Sequence, residues 1–131
     1  MAYKFEHLEV WKLAMEYLDL IYSIARELPA SEEFNLKSQI VRAGTGIVLN
    51  IAEGSTSQSD PEQARFLNIA IRSLIETVAC QRIIGQRGYL EDPKLLEEAY
   101  QFSEKLFAKL QAFRNSLRPG SRRRPGSVSD R

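Results

Sequence analysis

Five polar side chains, Arg42, Asn50, Glu53, Arg72 and Glu76, are the residues of this chain whose types and spacing could do chemistry. The first three stand in the apolar, small-residue run Arg42-Ala-Gly-Thr-Gly-Ile-Val-Leu-Asn-Ile-Ala-Glu-Gly54, in places a solvated helix does not favour. Glu53 and Glu76 could serve as a general acid and base. The sequence supplies no nucleophile, metal-ligand set or substrate pocket to go with them. The one histidine, His7, lies near the N-terminus between Glu6 and Glu9, and the Glu-x-x-His pairs of a di-iron bundle are missing. Cys80 sits among apolar neighbours with no histidine near it, the setting of a buried, inert thiol. Gly44-Thr-Gly46 falls inside a helical pattern and lacks the Gly-x-x-x-x-Gly-Lys spacing of a phosphate loop. The residues therefore read as non-catalytic, with no cofactor and no metal.

What positions these side chains is a set of helices. Trp11, Ala14, Leu18, Ile21, Ala25 and Leu28 keep a 3/4 spacing, which predicts a first helix over residues 5–28, stopped by Pro29. Ser31 offers an N-cap for a second helix that runs to Glu53, with Gly54 as its natural terminator. Asp60-Pro61-Glu62-Gln63 opens a third, with Asp60 as cap, Pro61 in the first helical position and Gln63 able to complete a capping box. Its periodicity fades at Gly85 and Gly88. Asp92-Pro93 repeats the start signal for a fourth, whose apolar residues step from Leu96 to Leu117. Nothing reads as a strand. Four helices of about 20–25 residues with short connections force neighbours antiparallel, so the expected fold is all-α: an up-down-up-down four-helix bundle over residues 1–117.

Composition agrees with one globular domain: 131 residues, 44% hydrophobic and 27% charged. No apolar run reaches the roughly 18 residues a membrane span needs, and the N-terminus lacks a signal-peptide core. A single cysteine excludes an internal disulfide. Together these give an expectation of a cytoplasmic protein. The net charge of +1 hides an asymmetry: residues 1–117 hold 13 Lys/Arg against 16 Asp/Glu, and residues 118–131 hold five Arg against one Asp. That final Arg/Pro/Gly/Ser segment has one apolar side chain and is expected to be disordered. Its residues Arg118, Arg122, Arg123 and Arg124 are the candidate contacts to RNA or DNA.

On a helical wheel the second helix is apolar on two sides. Leu36, Ile40, Ala43 and Ile47 share one stripe with Asn50, and Val41, Thr45, Val48 and Ala52 form another. The third helix carries Ile69 and Ile83 nearly opposite its main apolar face. Helices apolar on both sides are buried on both, which points to a homo-oligomer with Val41, Thr45, Val48, Ala52, Ile69 and Ile83 in its interface. Arg42, Asn50, Glu53, Arg72 and Glu76 then form a buried polar cluster, because an unpaired buried charge costs several kcal/mol. Such a cluster fixes register and geometry. Gly44 and Gly46 signal close helix approach, since a mid-helix glycine costs about 1 kcal/mol against alanine.

Five motifs occur in order: Phe5-x-x-Leu8-x-Val10-Trp11-x-x-Ala14, Pro29, Leu36-x-x-Gln39-x-x-Arg42-Ala43, Asn50-Ile51-Ala52-Glu53-Gly54 and Phe66-Leu67-x-x-Ala70-x-x-Ser73-x-x-Glu76. Over about residues 3–115 this resembles the bacterial four-helix bundle family whose founding members are encoded within intervening sequences of 23S rRNA genes. The resemblance implies a bundle that assembles as a cyclic homopentamer, and it transfers no catalytic residues. A related branch serves as accessory proteins of diversity-generating retroelements, where a basic pentamer binds reverse transcriptase and nucleic acid. The chain departs from the family in having Gly44 and Gly46 where Ala and Ser are usual, and its acidic body departs from the retroelement branch. The expected function is thus a non-catalytic oligomeric scaffold or adaptor whose partners are copies of itself, with a protein partner or nucleic acid besides. The alternative is a nucleic-acid-binding accessory factor acting through the basic tails.

Overall fold

The computed structural model describes residues 2–117; the arginines of the C-terminal segment and its expected disorder lie outside them. A 3-10 turn, Lys4–His7, is followed by four helices: α1 Glu9–Arg26, α2 Leu36–Gly54, α3 Asp60–Arg87 and α4 Lys94–Ser116. No strand occurs among the described residues.

Each boundary has a local cause, and several differ from the sequence reading. Leu8 is extended (φ −70°, ψ 130°) and fully buried, so the first helix begins at Glu9 rather than Phe5. Ser31 does not cap α2. It belongs to a 3-10 turn, Ala30–Glu32, and α2 begins four residues later, after Asn35. Glu32 does the work expected of Ser31: its carboxylate accepts from Asn35 Nδ2 at 3.0 Å, from the Leu36 N–H at 3.4 Å and from the Tyr89 hydroxyl at 2.7 Å. Ser59, not Asp60, caps α3 by accepting from the Glu62 N–H, which makes Asp60 the first helical residue and Pro61 the second. Gln63 does not complete a capping box; it is buried. α3 continues through Gly85 and ends at Gly88, whose left-handed φ of 69° suits a residue without Cβ.

The helices form a closed ring in which α1 and α3 both touch α2 and α4. Contacts near the helix ends bear on the directions. Glu9 at the start of α1 pairs with Lys109 near the end of α4 at 3.1 Å, and Arg114 at the end of α4 bonds Asn68 near the start of α3 at 2.9 Å. Gly54 at the end of α2 meets Phe66 in the second turn of α3, and Gly44 of α2 meets Leu18 and Ile21 of α1. These contacts are compatible with antiparallel neighbours, the arrangement that short connections favour. The core is layered from all four: Tyr17, Ile21 and Ile24, then Ile40, Ile47 and Ile51, then Leu67, Leu74 and Ile84, then Leu106, Leu110 and Phe113, each at most 1% exposed. At about 1.5–3 kcal/mol per fully buried large side chain, this layer is the main force for folding.

Candidate functional site: the outer face of α2 and α3

The seam between α2 and α3 is built on small residues. A Cβ placed on Gly46 would stand 3.1 Å from Ser73 Oγ, and one on Gly54 would stand 2.9 Å from Phe66 Cβ. The close approach expected at Gly44 and Gly46 is therefore present, Gly44 lying against α1 (3.1 Å to Leu18 Cδ1) and Gly46 against α3. With the backbones this near, side chains flanking the seam are pushed to its outer rim.

That rim is where the structure places the motif side chains, and it corrects the expectation of a buried cluster. Arg42, Glu53, Arg72 and Glu76 are all exposed within the chain, and Asn50 is half-buried. They do not answer one another: the ion pairs among the described residues are Lys37–Glu33 and Lys109–Glu9. Asn50 instead donates Nδ2–H to the Gly46 carbonyl of its own helix at 2.8 Å. The physical reason is angular. The buried arc of α2 is centred between Ile40 and Ile51, and Arg42 and Glu53 lie some 160–220° from it.

The apolar interface residues divide. Val48 is 7% exposed and belongs to the core, and Val41, Thr45 and Ala52 are half-buried. That stripe faces the α1 side, where Gly44 lets α1 close over it. Ile69 and Ile83 of α3 do remain on the surface, at 41% and 45% exposure. The sequence reading missed Leu49, 55% exposed, which lies about 20° from Arg42 and about 40° from Glu53 on the wheel of α2. It also missed Phe34, 96% exposed just before α2, and the only signal for it was an aromatic residue in a turn.

Beneath this face lies a polar set the motifs did not reveal. Tyr17 of α1 crosses the core, its hydroxyl 2.7 Å from Thr77 Oγ1 and 2.7 Å from Gln81 Nε2, both on α3. Thr77 donates its own proton to the Leu74 carbonyl, so Tyr17 donates to Thr77 and accepts from Gln81. Burial pushes the Tyr17 hydroxyl up to about 12, against the opposing effect of its hydrogen bonds with Thr77 and Gln81. Burial, and then the Glu76 charge, also raise the Cys80 thiol, which keeps it protonated and unreactive. The hydrogen bond from Tyr89, opposed by burial and supported by Asn35, the Leu36 N–H and Arg87, holds Glu32 below the usual carboxylate range. His7 is exposed, and no cluster of metal-ligating side chains occurs among the described residues. No described helix is long and apolar enough to cross a membrane.

Glu53 and Glu76 line none of four cavities found among the described residues. A solved protein of unknown function from the S23 ribosomal protein family, from Bacteroides thetaiotaomicron, is similar at 26% identity and a TM-score of 0.72, over 79% of this chain and 95% of that one. No curated protein matches. Residues 6–112 match the family described as 23S rRNA-intervening sequence protein, and the chain belongs to that family.

Proposed function

We propose that this protein is a non-catalytic homo-oligomeric scaffold that assembles through the outer face of α2 and α3. One observation carries the reading. Leu49, Ile69 and Ile83 are exposed on the same face as the motif residues Arg42, Glu53, Arg72 and Glu76, and within the chain that face covers nothing. Contiguous exposed apolar surface rimmed by charge marks an interaction site. A copy seated there would bury the isoleucines and bring carboxylates and guanidinium groups of two chains together, supplying the partners each lacks in one chain. The number five comes from the family resemblance. A closed ring joins two different faces of each copy, and Phe34 beside Tyr22 on the α1/α2 side provides a second apolar one. Four cavities found among the described residues lack Glu53 and Glu76 in their lining, which weighs against an acid/base role for them.

Light scattering at micromolar concentration tests this. A chain of 15.0 kDa is expected to give about 75 kDa as a pentamer. The double variant Leu49→Glu, Ile69→Glu is expected to give the monomer mass with unchanged helical content, because charges buried in the contact cost several kcal/mol each. A 15 kDa wild type, or a double variant of unchanged mass, contradicts the assembly.

A further inference from the structure

The helical body is acidic in sum, yet three of its arginines line one cavity. Arg65, Asn68, Ile69, Ile71, Arg72 and Arg114 line a cavity of about 440 Å³ between the start of α3 and the end of α4, and no carboxylate lines it. Arg65 and Arg72 are two turns apart on α3, about 10 Å along its axis. Arg114 reaches in from α4 at the turn between them, where its Nη1 donates to Asn68 Oδ1 at 2.9 Å. Asn115 Oδ1 accepts from its Nε at 3.3 Å, so this guanidinium is held in place from two sides. Along the backbone of α3, Arg65, Asn68 and Arg72, where the three arginines are rooted or held, are about 5 Å apart on the axis.

We propose that Arg65, Arg72 and Arg114 form a phosphate-contacting track on the folded body that takes the backbone of a single-stranded nucleic acid. A row is suited to a chain of charges rather than to one anion, and its step is comparable with the phosphate repeat of a strand, about 3.4 Å along a duplex and longer when extended. Apolar surface lies beside the row for unpaired bases: Ile69 is exposed, and the half-buried Phe66 carries Arg65 over its ring at 5.3 Å. Arg114 is also four residues from Arg118, so in sequence the track runs directly into the arginines of the C-terminal segment. This places phosphate contacts on the body, beyond a role for that segment alone. It does not depend on the assembly: Ile69 and Arg72 border both surfaces, so a second copy on the outer face and a strand on the track compete for them.

The test is fluorescence anisotropy of a labelled oligouridine of about 20 nucleotides against the full chain, from about 50 to about 200 mM salt. The triple variant Arg65→Gln, Arg72→Gln, Arg114→Gln is expected to bind at least about tenfold more weakly at the low-salt end. Its slope of log affinity against log salt should be smaller by about 2, three contacts at about 0.7 each. The corresponding triple lysine variant is expected to keep the slope. A chain ending at residue 117 is expected to bind more weakly than the full chain but still to respond to the triple substitution. An unchanged slope overturns the track. So does a loss of binding accompanied by a change in mass on light scattering, which would make the row a subunit contact; failure of the assembly alone leaves the track standing. Equal affinity for a duplex of the same length, or equal competition by inorganic phosphate at matched ionic strength, overturns the single-strand assignment.

Discussion

Two sets of polar residues occupy α2 and α3, and they do opposite things. The outer set, Arg42, Glu53, Arg72 and Glu76, is exposed and makes no ion pair with another described residue. The inner set, Thr77 and Gln81 with Tyr17 from α1, is 0–4% exposed and tied into one directed chain of hydrogen bonds that ends at the Leu74 carbonyl. The inner set contributes to the fold of one chain, and the outer set is left over for something outside it. Motif residues with no task in the monomer are better evidence for a contact than any single exposed side chain.

The sharpest test of that division is Tyr17→Phe, made in the Leu49→Glu, Ile69→Glu background so that stability is read without assembly. Removing the hydroxyl leaves the Gln81 amide N–H unpaired in the core, and its Oε1 already has no protein partner among the described residues. The expected loss is about 1–3 kcal/mol by urea unfolding. Glu53→Gln and Glu76→Gln in the same background are expected to change stability by less than about 0.5 kcal/mol. If either costs as much as Tyr17→Phe, the two sets are not distinct. The same tyrosine gives a pH signature. Its folded pKa is raised from 10.0 to about 12, so folding favours the neutral phenol. That stability is complete below pH 10 and is lost as pH rises from 10 towards 12. At about 1.4 kcal/mol per unit the alkaline loss is about 3 kcal/mol, and it should be absent in Tyr17→Phe.

The string Arg42–Gly54 carries two of the outer set and packs on both α1 and α3, and its glycines sharpen the comparison at a smaller scale. Gly54→Ala drives a methyl to 2.9 Å from Phe66 Cβ, an atom fixed to the backbone of α3. A loss of about 1–2 kcal/mol in thermal or urea unfolding is expected, within the usual range for overpacking. Gly44→Ala meets the movable Leu18 Cδ1 at 3.1 Å and the stiffer Ile21 Cγ2 at 3.2 Å, a crowding offset by about 1 kcal/mol of gained helix propensity. It is expected to be neutral within about 0.5 kcal/mol. Equal costs at the two positions would mean that the α1 and α3 seams are equally tight.

Most of the fold was legible because it rests on local signals: periodicity, Pro61, Pro93 and the glycines name four helices and their order. The start of α2 was not, since its first turn is satisfied by Glu32 with a tyrosine 57 residues away, and no local spacing encodes that. The candidate face was half legible. A wheel shows that α2 is apolar on two sides but not which side a neighbour covers; the approach of α1 over Gly44 took Val48 inward and left Leu49 out. The arginine track was invisible because Arg65 and Arg114 are 49 residues apart in the chain, and a summed charge cannot show where charges meet.

The smallest expected effect lies at the far end of the bundle from the track, where Glu32 joins the α1–α2 connection to Tyr89. Its carboxylate is held below the ordinary value of 4.5, chiefly by the Tyr89 hydrogen bond, so folding favours the ionised form. The stability it contributes is complete above pH 4.5 and is lost as pH falls through the lower folded value. Glu32→Gln keeps an oxygen to accept from Tyr89 but cannot titrate. Thermal melts from neutral pH down to about pH 3 should therefore show a shallower acid decline in the variant, with melting temperatures converging as wild-type Glu32 protonates. Because this contact sits away from both the outer face and the arginine track, the substitution should leave oligomer mass and oligouridine binding unchanged. A shift in mass would mean that the Glu32–Tyr89 contact holds the neighbouring Phe34 in place for the next copy, and a shift in binding would extend the nucleic-acid contact to this end of the bundle.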